Sequence, residues 1–365
     1  MKFSVLTKEL NNSLKAVAST GAENIIVFAK PDTSIEIVGE GEVTSIKTTT
    51  TALSVEEEGK AVLNTRFVTD IAKKAGSDEI SFSSNEENKL IQIKAGKSKF
   101  KLNTESNDPV HSSFDLADAS TFSLLASKLK EMLDRISYAA AVKEVSRPIL
   151  TGINLSSYDG YLKAVATDSY RLAQDEVHQD GIADFNITIP VSAVSSLQST
   201  LLSDCEEKDM LTISVSGSKA VFSKGETLLK TRLLDGAYPE VGRLIPSSYA
   251  YGITVNRENL IDLLERSLFL KDKGEMATVS LSFGKDTPIT ISSDSQEIGS
   301  FQEELDGKTD CVESFGTDFA ANYMLDILKH VSSDEVTIQF VGKLKPMTIT
   351  AGNALHLMLP VRKWQ

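Results

Sequence analysis

The chain has 365 residues, a hydrophobic content of 41% and a formal net charge of −13. No apolar run approaches the roughly 18 residues of a membrane-spanning helix, and the opening MKFSVLTKEL lacks the apolar core of a secretion signal. Cys205 and Cys311 fit neither a metal-ligand spacing nor a disulfide framework. These features predict a cytoplasmic protein of two or three domains, with no membrane association and no metal or other cofactor.

Three segments share one pattern of apolar residues. They are FSVLTKELNNSLKAV from Phe3, FSLLASKLKEMLDRI from Phe122 and ITVNRENLIDLLERS from Ile253. Each begins with alternating apolar residues, as in a strand, and continues with leucines four positions apart, as on one face of a helix. The leucine pairs are Leu10 and Leu14, Leu129 and Leu133, and Leu260 and Leu264. Each segment is therefore predicted to be a short strand followed by an amphipathic helix.

A second helix is predicted later in each copy. The three candidates are RFVTDIAKKAG from Arg66, PVSAVSSLQSTLL from Pro190 and NYMLDILKHV from Asn322. Short runs rich in Val, Ile, Thr and Phe, such as SIEIVG, TALSV, KAVFS, TVSLSF and PITISS, are typical of antiparallel hairpins.

Glycines at the ends of three strand-like runs repeat with nearly the same period. IQIKAG, VFSKG and TITAG end at Gly96, Gly225 and Gly352, which are 129 and 127 residues apart, whereas the copies start 119 and 131 residues apart. Such regularity predicts an internal repeat. We expect three α+β domains, 1–117, 118–247 and 248–365, each with two helices on a curved antiparallel sheet.

The negative net charge argues against nucleic-acid binding unless basic residues are segregated on one surface. Basic residues do occur on or just after the predicted helices. The candidates for DNA contact are Lys8, Lys15, Lys73, Lys74, Lys128, Lys130, Arg135, Arg257, Arg266 and Lys329, with Lys143 and Lys271 just beyond their helices. The alternative is a solvated face of mixed charge, since Glu131, Asp134 and Glu265 lie on the same helices.

Four segments, SRPILTGINL (146–155), AVATDSYRLA (164–173), TRLLDGAYPEVGRLIP (231–246) and LMLPVR (357–362), resemble signature segments of one family in order and spacing. The family is the bacterial sliding clamp, the beta subunit of DNA polymerase III. The resemblance spans the chain and is strongest after about residue 120. It implies three sliding-clamp domains and a head-to-tail homodimeric ring, whose helices surround double-stranded DNA without reading its sequence.

The resemblance also implies a function. The chain would be a processivity factor with a peptide-binding groove between the second and third domains. The implied groove residues are Leu150, Thr167, Ser169, Tyr170, Arg171, Leu172, Pro239, Arg243, Leu244, Tyr323, Leu344, Leu357, Met358, Leu359, Pro360, Val361 and Arg362. The implied partners are the DNA polymerase III alpha subunit, the clamp loader, repair polymerases, ligase and mismatch-repair proteins, each carrying a short peptide with a glutamine and apolar or aromatic anchors.

The ring joint is implied by the same resemblance. It places Phe100 and Leu102, from KFKL, and Phe269 and Leu270, from SLFLKD, at the dimer interface. The alternative for Phe100 and Leu102 is an ordinary core position, because the two residues alternate along a predicted strand.

The chain departs from the family pattern at three places. The segment VASTGAENIIVFAKPD after the first helix is shorter, Ala320 stands where the family usually has Asn, and the tail adds Trp364 beside the groove. These departures leave open a clamp-like module or decoy, carried by a phage or plasmid, that binds clamp partners without loading on DNA.

An enzyme is the alternative of a different class, because Asp168, Ser169, Tyr170 and Arg171 adjoin one another. A nucleophile needs a base within reach, yet no motif links Ser169 to any of the four histidines, His111, His178, His330 and His356. The sequence also lacks a GxSxG elbow, a phosphate-binding loop and an HExxH zinc motif. We therefore expect Asp168 to close a turn through a backbone amide or Arg171, and the chain to be no enzyme.

Overall fold

A computed structural model describes residues 1–85, 90–104, 113–142, 146–270, 276–295 and 297–362. Four residues singled out from the sequence, His111, Lys143, Lys271 and Trp364, lie outside these ranges. Within the described residues, no helix is both long enough and apolar enough to cross a membrane.

Six α-helices form over the described ranges. They are α1 Thr7–Ala18, α2 Thr65–Lys73, α3 Ala126–Ile136, α4 Val191–Ser199, α5 Arg257–Ser267 and α6 Ala321–Lys329. All six predicted helices are present, and the leucines that predicted α1, α3 and α5 are buried. Burial of one apolar face explains why these short helices are stable in the folded chain.

The strands fall into three sets along the chain. The first set is β1 Lys2–Leu6, β2 Asn24–Ala29, β3 Ser34–Glu40, β4 Thr44–Thr51, β5 Ser54–Glu57, β6 Gly59–Asn64, β7 Glu79–Asn85, β8 Leu90–Ala95 and β9 Ser98–Asn103. The second set is β10 Ser120–Leu125, β11 Gly152–Tyr158, β12 Tyr161–Thr167, β13 Arg171–His178, β14 Phe185–Pro190, β15 Met210–Ser216, β16 Lys219–Lys224 and β17 Thr227–Arg232. The third set is β18 Tyr251–Asn256, β19 Thr278–Gly284, β20 Thr287–Ser295, β21 Gly299–Leu305, β22 Gly307–Thr309, β23 Phe315–Ala320, β24 Glu335–Phe340, β25 Met347–Ala351 and β26 Ala354–Met358.

Close contacts divide the chain into two units, and the first comprises Met1–Lys130 and Ser192–Leu234. It holds a five-stranded sheet, in the order β5-β1-β7-β8-β9, and an eight-stranded sheet, β10-β15-β16-β17-β4-β3-β2-β6. The β17–β4 ladder, in which Thr231 lies opposite Thr44, joins strands from the first and second copies into one sheet. Phe3 of β1 and Phe82 of β7 lie opposite each other in the smaller sheet, and their rings stack with centres 4.8 Å apart.

The second unit comprises Glu131–Val191 and Asp235–Gln365. Its nine-stranded sheet has the order β14-β11-β12-β13-β26-β25-β24-β18-β22, and its four-stranded sheet the order β21-β20-β19-β23. The β13–β26 ladder joins the second and third copies. The apolar core beneath α5 and α6 includes Leu260, Leu264, Phe283, Phe340 and Met358.

The three landmark glycines occupy equivalent hairpin turns. Gly96, Gly225 and Gly352 have φ values of 58°, 56° and 59°. Each begins a two-residue connection between adjacent antiparallel strands, where a positive φ at the first turn residue favours glycine. The repeat predicted from sequence thus corresponds to a repeated backbone conformation.

One predicted hairpin strand is wrong. The run TALSV is not a single strand, because β4 ends at Thr51 in the eight-stranded sheet and β5 begins at Ser54 in the five-stranded sheet. Between them the Ala52 amide donates to the Thr33 carbonyl and the Leu53 amide to the Ser4 carbonyl. The chain therefore changes sheets within this run.

Candidate binding site

The stretch VATDSYRLA forms the end of β12, a tight turn and the start of β13. Oδ1 of Asp168 accepts hydrogen bonds from the amides of Tyr170 and Arg171, each at 2.9 Å. The Thr167 hydroxyl donates to the Arg171 carbonyl at 2.7 Å. Ser169 has a φ of 78°, in the left-handed region. Asp168 therefore closes the turn, as the sequence predicted, and its hydrogen bonds stabilise the conformation of the turn.

Arg171 is buried, with only 8% of its surface exposed. Its guanidinium carbon lies 5.3 Å from the ring centre of Tyr138 and 4.6 Å from that of Tyr323. Nε donates to Oδ2 of Asp168 at 3.0 Å, and Nη1 donates to Asp326. Burial works to lower the pKa of Arg171, but the hydrogen bonds and charges of Asp326 and Asp168 outweigh burial and raise it. The positive charge is therefore permanent and locally neutralised.

A second layer of polar side chains lies beneath Arg171. The Tyr138 hydroxyl is hydrogen-bonded to Nδ1 of His356 at 2.9 Å, and the rings of Tyr138 and His330 stack at 4.6 Å. Nδ1 of His330 donates to the Asp326 carbonyl at 2.7 Å. Burial raises the pKa of Tyr138 and lowers that of His356 to about 4. Tyr138 and His356 are therefore neutral at physiological pH and act as supports.

The β13–β26 ladder brings the end of the chain beside this turn. Leu172 lies opposite Leu357 in that ladder. Beyond β26, the Leu359 amide donates to the Tyr170 carbonyl at 2.9 Å and the Val361 amide donates to the Asp318 carbonyl at 2.8 Å. Two main-chain hydrogen bonds thus hold the tail against the turn and against β23.

The segment 238–244 covers one face of the same sheet. The Thr167 amide donates to the Tyr238 hydroxyl at 3.1 Å, and burial raises the pKa of that phenol. Val241 forms a small apolar cluster with Val165, Leu172 and Leu357. This anchoring places Leu244, the last residue of the 3₁₀ turn Val241–Leu244, on the surface.

Several predicted groove residues form an exposed apolar surface around the tail. Tyr170, Leu244, Leu344 and Leu359 are 58%, 56%, 57% and 39% exposed. Half-buried Tyr323 lies beside Tyr170, with ring centres 6.3 Å apart. We call Tyr170, Leu244, Tyr323, Leu344 and Leu359 the docking surface. Its side chains suit apolar and aromatic contacts with a ligand.

Other predicted groove residues lie below this surface or at its margin. The buried ones are Leu150, Thr167, Arg171, Leu172, Leu357 and Met358. Pro239, Pro360 and Val361 are half-buried, whereas Ser169, Arg243 and Arg362 are exposed. The buried set forms the support rather than the contact surface, and Met358 faces the core of the second unit.

Sequence reasoning missed the residues that position Arg171. Tyr138, Asp326 and His356 have no local pattern that connects them with the turn. Tyr238 directly precedes Pro239, a predicted groove residue, and this adjacency was the only sequence feature that could have indicated its role.

The predicted DNA-facing cations differ in their surroundings. Lys8, Lys15, Lys73 and Lys74 are exposed on α1 and at the end of α2, and the described part of the chain places no carboxylate within 4.0 Å of their amines. Asn11 links these helices by donating to the Ala72 carbonyl at 3.1 Å. Lys128 and Lys130 are half-buried. The first unit therefore presents exposed positive charge on a paired set of helices.

The remaining cations are paired with carboxylates. Nε of Arg135 donates to buried Asp175 at 2.6 Å. Nε of Arg266 donates to Glu303 at 2.9 Å, and Lys329 lies 3.2 Å from Glu265. Arg257 pairs with Glu258 and donates to the Leu328 carbonyl. Much of their charge is therefore compensated within the second unit.

The predicted interface residues lie near sheet edges. Phe100, on the edge strand β9, is 37% exposed, and Leu102 is half-buried. Phe269 is 80% exposed in the 3₁₀ turn Leu268–Leu270, which contacts the edge strand β21. Phe100 lies opposite buried Ile93 in the β8–β9 ladder, so its exposure comes from its position at the open edge of the sheet.

Comparison with known proteins identifies the family. Models of the N-terminal, central and C-terminal domains of the DNA polymerase III beta subunit match residues 1–110, 123–240 and 242–362. A beta sliding clamp of Staphylococcus epidermidis is 30% identical, covering 100% of this chain and 99% of that protein.

Solved structures show the same fold. A DNA polymerase sliding clamp from Bacillus subtilis superimposes with a TM-score of 0.88 at 26% identity, covering 100% of both chains. The beta subunit from Thermotoga maritima gives a TM-score of 0.90 at 22% identity, again over 100% of both chains. These structures confirm the predicted fold class. The three family models and the Staphylococcus epidermidis relative confirm the role of a processivity clamp, an accessory subunit rather than an enzyme, and do not favour a decoy. The chain belongs to the DNA polymerase III beta subunit family, the beta sliding clamps.

Proposed function

We propose that the docking surface binds short extended peptides of replication and repair proteins, and so tethers them to DNA. The observation that carries this proposal is a cluster of exposed apolar side chains on a buried, hydrogen-bonded support. Exposed apolar patches rimmed by polar groups are typical of interaction sites. Arg171 and Asp168 keep the surface rigid, so little ordering would be required when a peptide binds.

The peptide chemistry follows from the side chains. Leu244, Leu344 and Leu359 offer aliphatic contacts, while Tyr170 and Tyr323 offer ring faces and hydroxyls. An extended peptide with leucine and phenylalanine anchors and a glutamine suits this mixture. Candidate partners are the polymerase alpha subunit, the clamp loader, repair polymerases, ligase and mismatch-repair proteins. This role would place the chain in the cytoplasm.

We also propose that two chains close head to tail into a ring around double-stranded DNA. Open strands β9 and β21 can extend their sheets by pairing with a second chain, which would also remove two exposed edges. The exposed lysines of α1 and α2 supply contacts to phosphate that do not depend on sequence. Domain boundaries at 117/118 and 247/248 remain our proposal for the repeating unit.

The docking surface is tested by fluorescence anisotropy with a labelled peptide containing Gln-Leu-Ser-Leu-Phe. We expect binding in the micromolar range or tighter. Tyr170→Ala combined with Leu344→Ser should abolish it, because both side chains are exposed and their loss leaves the support intact. Tyr158→Ala is the control, since Tyr158 is also an exposed tyrosine but lies on β11 at the opposite end of the β11–β12 hairpin. Equal binding by all three proteins would exclude this surface.

A further inference from the structure

A cleft with several polar side chains lies next to the Leu244 end of the docking surface, between the nine-stranded sheet and the segment that carries Leu244. It has a volume of about 400 Å³, and its lining includes Asn154, Ser156, Lys163 and Asn186 of β11, β12 and β14. Its other wall is the segment 239–243. Arg243, a predicted groove residue, is therefore also a residue of the cleft.

The sheet register shows that the cleft and the apolar cluster beneath Leu244 share one face of the sheet. Val165 lies opposite Gln174, and Thr167 opposite Leu172. Opposed residues in an antiparallel ladder point to the same side. The row from Lys163 through Val165 and Thr167 therefore leads from the cleft to the apolar cluster beneath Leu244.

The charge within the cleft is mainly positive. Lys163 is half-buried, and the described residues place no carboxylate within 4.0 Å of its amine. Glu240 lies 3.4 Å from Arg243, and both side chains are largely exposed, so this pair contributes little. Glu176 lies opposite Lys163 in the β12–β13 ladder but is exposed to solvent.

Hydrogen bonds between other polar groups hold the wall of the cleft in place. Buried Asn154 donates to Oδ1 of Asn186 at 2.7 Å and to the Ile187 carbonyl at 3.2 Å. A half-buried amine on a fixed polar wall attracts a carboxylate more strongly than a freely mobile surface lysine does.

From these observations we propose that the cleft binds an acidic side chain, Asp or Glu, that flanks the apolar core of a docked peptide, with Lys163 as its counter-charge. This inference rests on the proposed function of the docking surface. It adds a determinant of partner choice, since two peptides with the same core are distinguished by charge outside it.

The test compares three labelled peptides with the same Gln-Leu-Ser-Leu-Phe core. One carries Asp-Glu after the core, one carries Asp-Glu before it, and one carries Asn-Gln at both ends. We expect one acidic peptide to bind about three- to fivefold more tightly than the neutral peptide, and the difference to shrink as salt is raised.

Two variants assign the effect to the cleft. Lys163→Gln should remove the preference for the acidic flank and leave the affinity for the neutral peptide unchanged, whereas Glu176→Gln should increase the preference. Lys345→Gln is the matched control, because Lys345 is exposed next to Leu344 on the docking surface.

The possible results distinguish failure of the cleft proposal from failure of the docking-surface proposal. Equal affinity for acidic and neutral peptides, or a preference lost in Lys345→Gln but kept in Lys163→Gln, would overturn the assignment of the cleft alone. Failure of all three peptides to bind would contradict the docking surface and, with it, this inference.

Discussion

The guanidinium carbon of Arg171 lies 4.6 Å from the ring centre of Tyr323 and stacks between that ring and Tyr138. Asp168 and Asp326 hold the guanidinium at its edges. Arg171 thus positions Tyr323 on the docking surface from below and is itself hardly accessible to a peptide.

Arg171→Ala is expected to destabilise the second unit by about 3 kcal/mol, because it opens a cavity between two rings and leaves two carboxylates without their partner. Arg171→Lys should cost less, since it keeps the charge but loses the planar stacking and the paired hydrogen bonds. Urea denaturation followed by circular dichroism measures both. As a control, Arg243→Ala, at an exposed position, should leave stability unchanged, and equal losses in all three variants would contradict the positioning role.

Ser169 provides a test of backbone strain. Its φ of 78° places a side chain in the left-handed region, which costs about 1–2 kcal/mol for a residue other than glycine. Ser169→Gly should remove that cost. Glycine also makes the unfolded chain more flexible, which offsets about half of the stabilisation, so the net stabilisation should be about 0.5 kcal/mol. Ser156→Gly, in the regular strand β11, should destabilise instead. If both variants lower the urea midpoint, the turn is not strained.

Several features that depend on local sequence were predicted correctly. Alternating apolar residues and leucines at i, i+4 predicted β1–α1, β10–α3 and β18–α5, because such patterns depend on local geometry alone. The short runs rich in Val, Ile, Thr and Phe predicted hairpins for the same reason, and the repeating glycines predicted the internal repeat. The turn at Asp168 was also local, and its closing hydrogen bonds were predicted from Asp168 itself.

Long-range pairing was outside the reach of such patterns. Arg171 was predicted as a groove residue, and its burial depends on Tyr138 and Asp326, which lie 33 and 155 residues away. Whether Arg266 is available to DNA depends likewise on Glu303, 37 residues away. The family resemblance predicted the groove residues, but which of them are exposed and which are buried depends on contacts between distant parts of the chain.

His356 makes a prediction about pH. Burial, the neighbouring charge of His330 and that of Arg135 lower its pKa from an ordinary 6.5 to about 4. Between pH 6.5 and 4, His356 is therefore mostly protonated in the unfolded chain and mostly neutral in the folded chain. Its contribution to stability is fully present above pH 6.5 and is lost as pH falls towards 4, by up to about 3 kcal/mol.

His356→Gln tests this origin. Glutamine can still hydrogen-bond to Tyr138 but does not titrate, so the free energy of unfolding of the variant should depend less on pH over this range. Urea denaturation of both proteins at several pH values supplies the comparison. Parallel curves for variant and wild type would show that other groups cause the acid sensitivity.

The exposed lysines of the first unit predict where DNA contact is strongest. Lys73→Gln with Lys74→Gln should weaken binding of a short duplex at low salt several-fold and reduce the slope of log K against log salt by about 1–2. The control is Lys208→Gln with Lys219→Gln, which makes the same change in net charge at exposed positions outside the helices. Arg266→Gln should have a smaller effect, because Glu303 already compensates its charge. Anisotropy of labelled DNA over a salt series distinguishes these cases, and equal weakening by both double variants would indicate only bulk charge.

If the proposed ring joint is correct, charged residues at the joint should separate the dimer into single chains without preventing peptide binding. Phe269 exposes 80% of its surface beside the edge strand β21, and an apolar side chain so placed is typical of an interface. Phe269→Asp with Leu270→Asp should convert a two-chain particle into a single chain in sedimentation velocity, because burying two carboxylates opposite apolar partners is unfavourable. The same variant should still bind the Gln-Leu-Ser-Leu-Phe peptide, since the docking surface lies elsewhere in the second unit. Val312→Asp, a similarly exposed position, should leave the mass unchanged. If the double variant remains a dimer, the joint lies at other residues and the pairing of β9 with β21 is wrong.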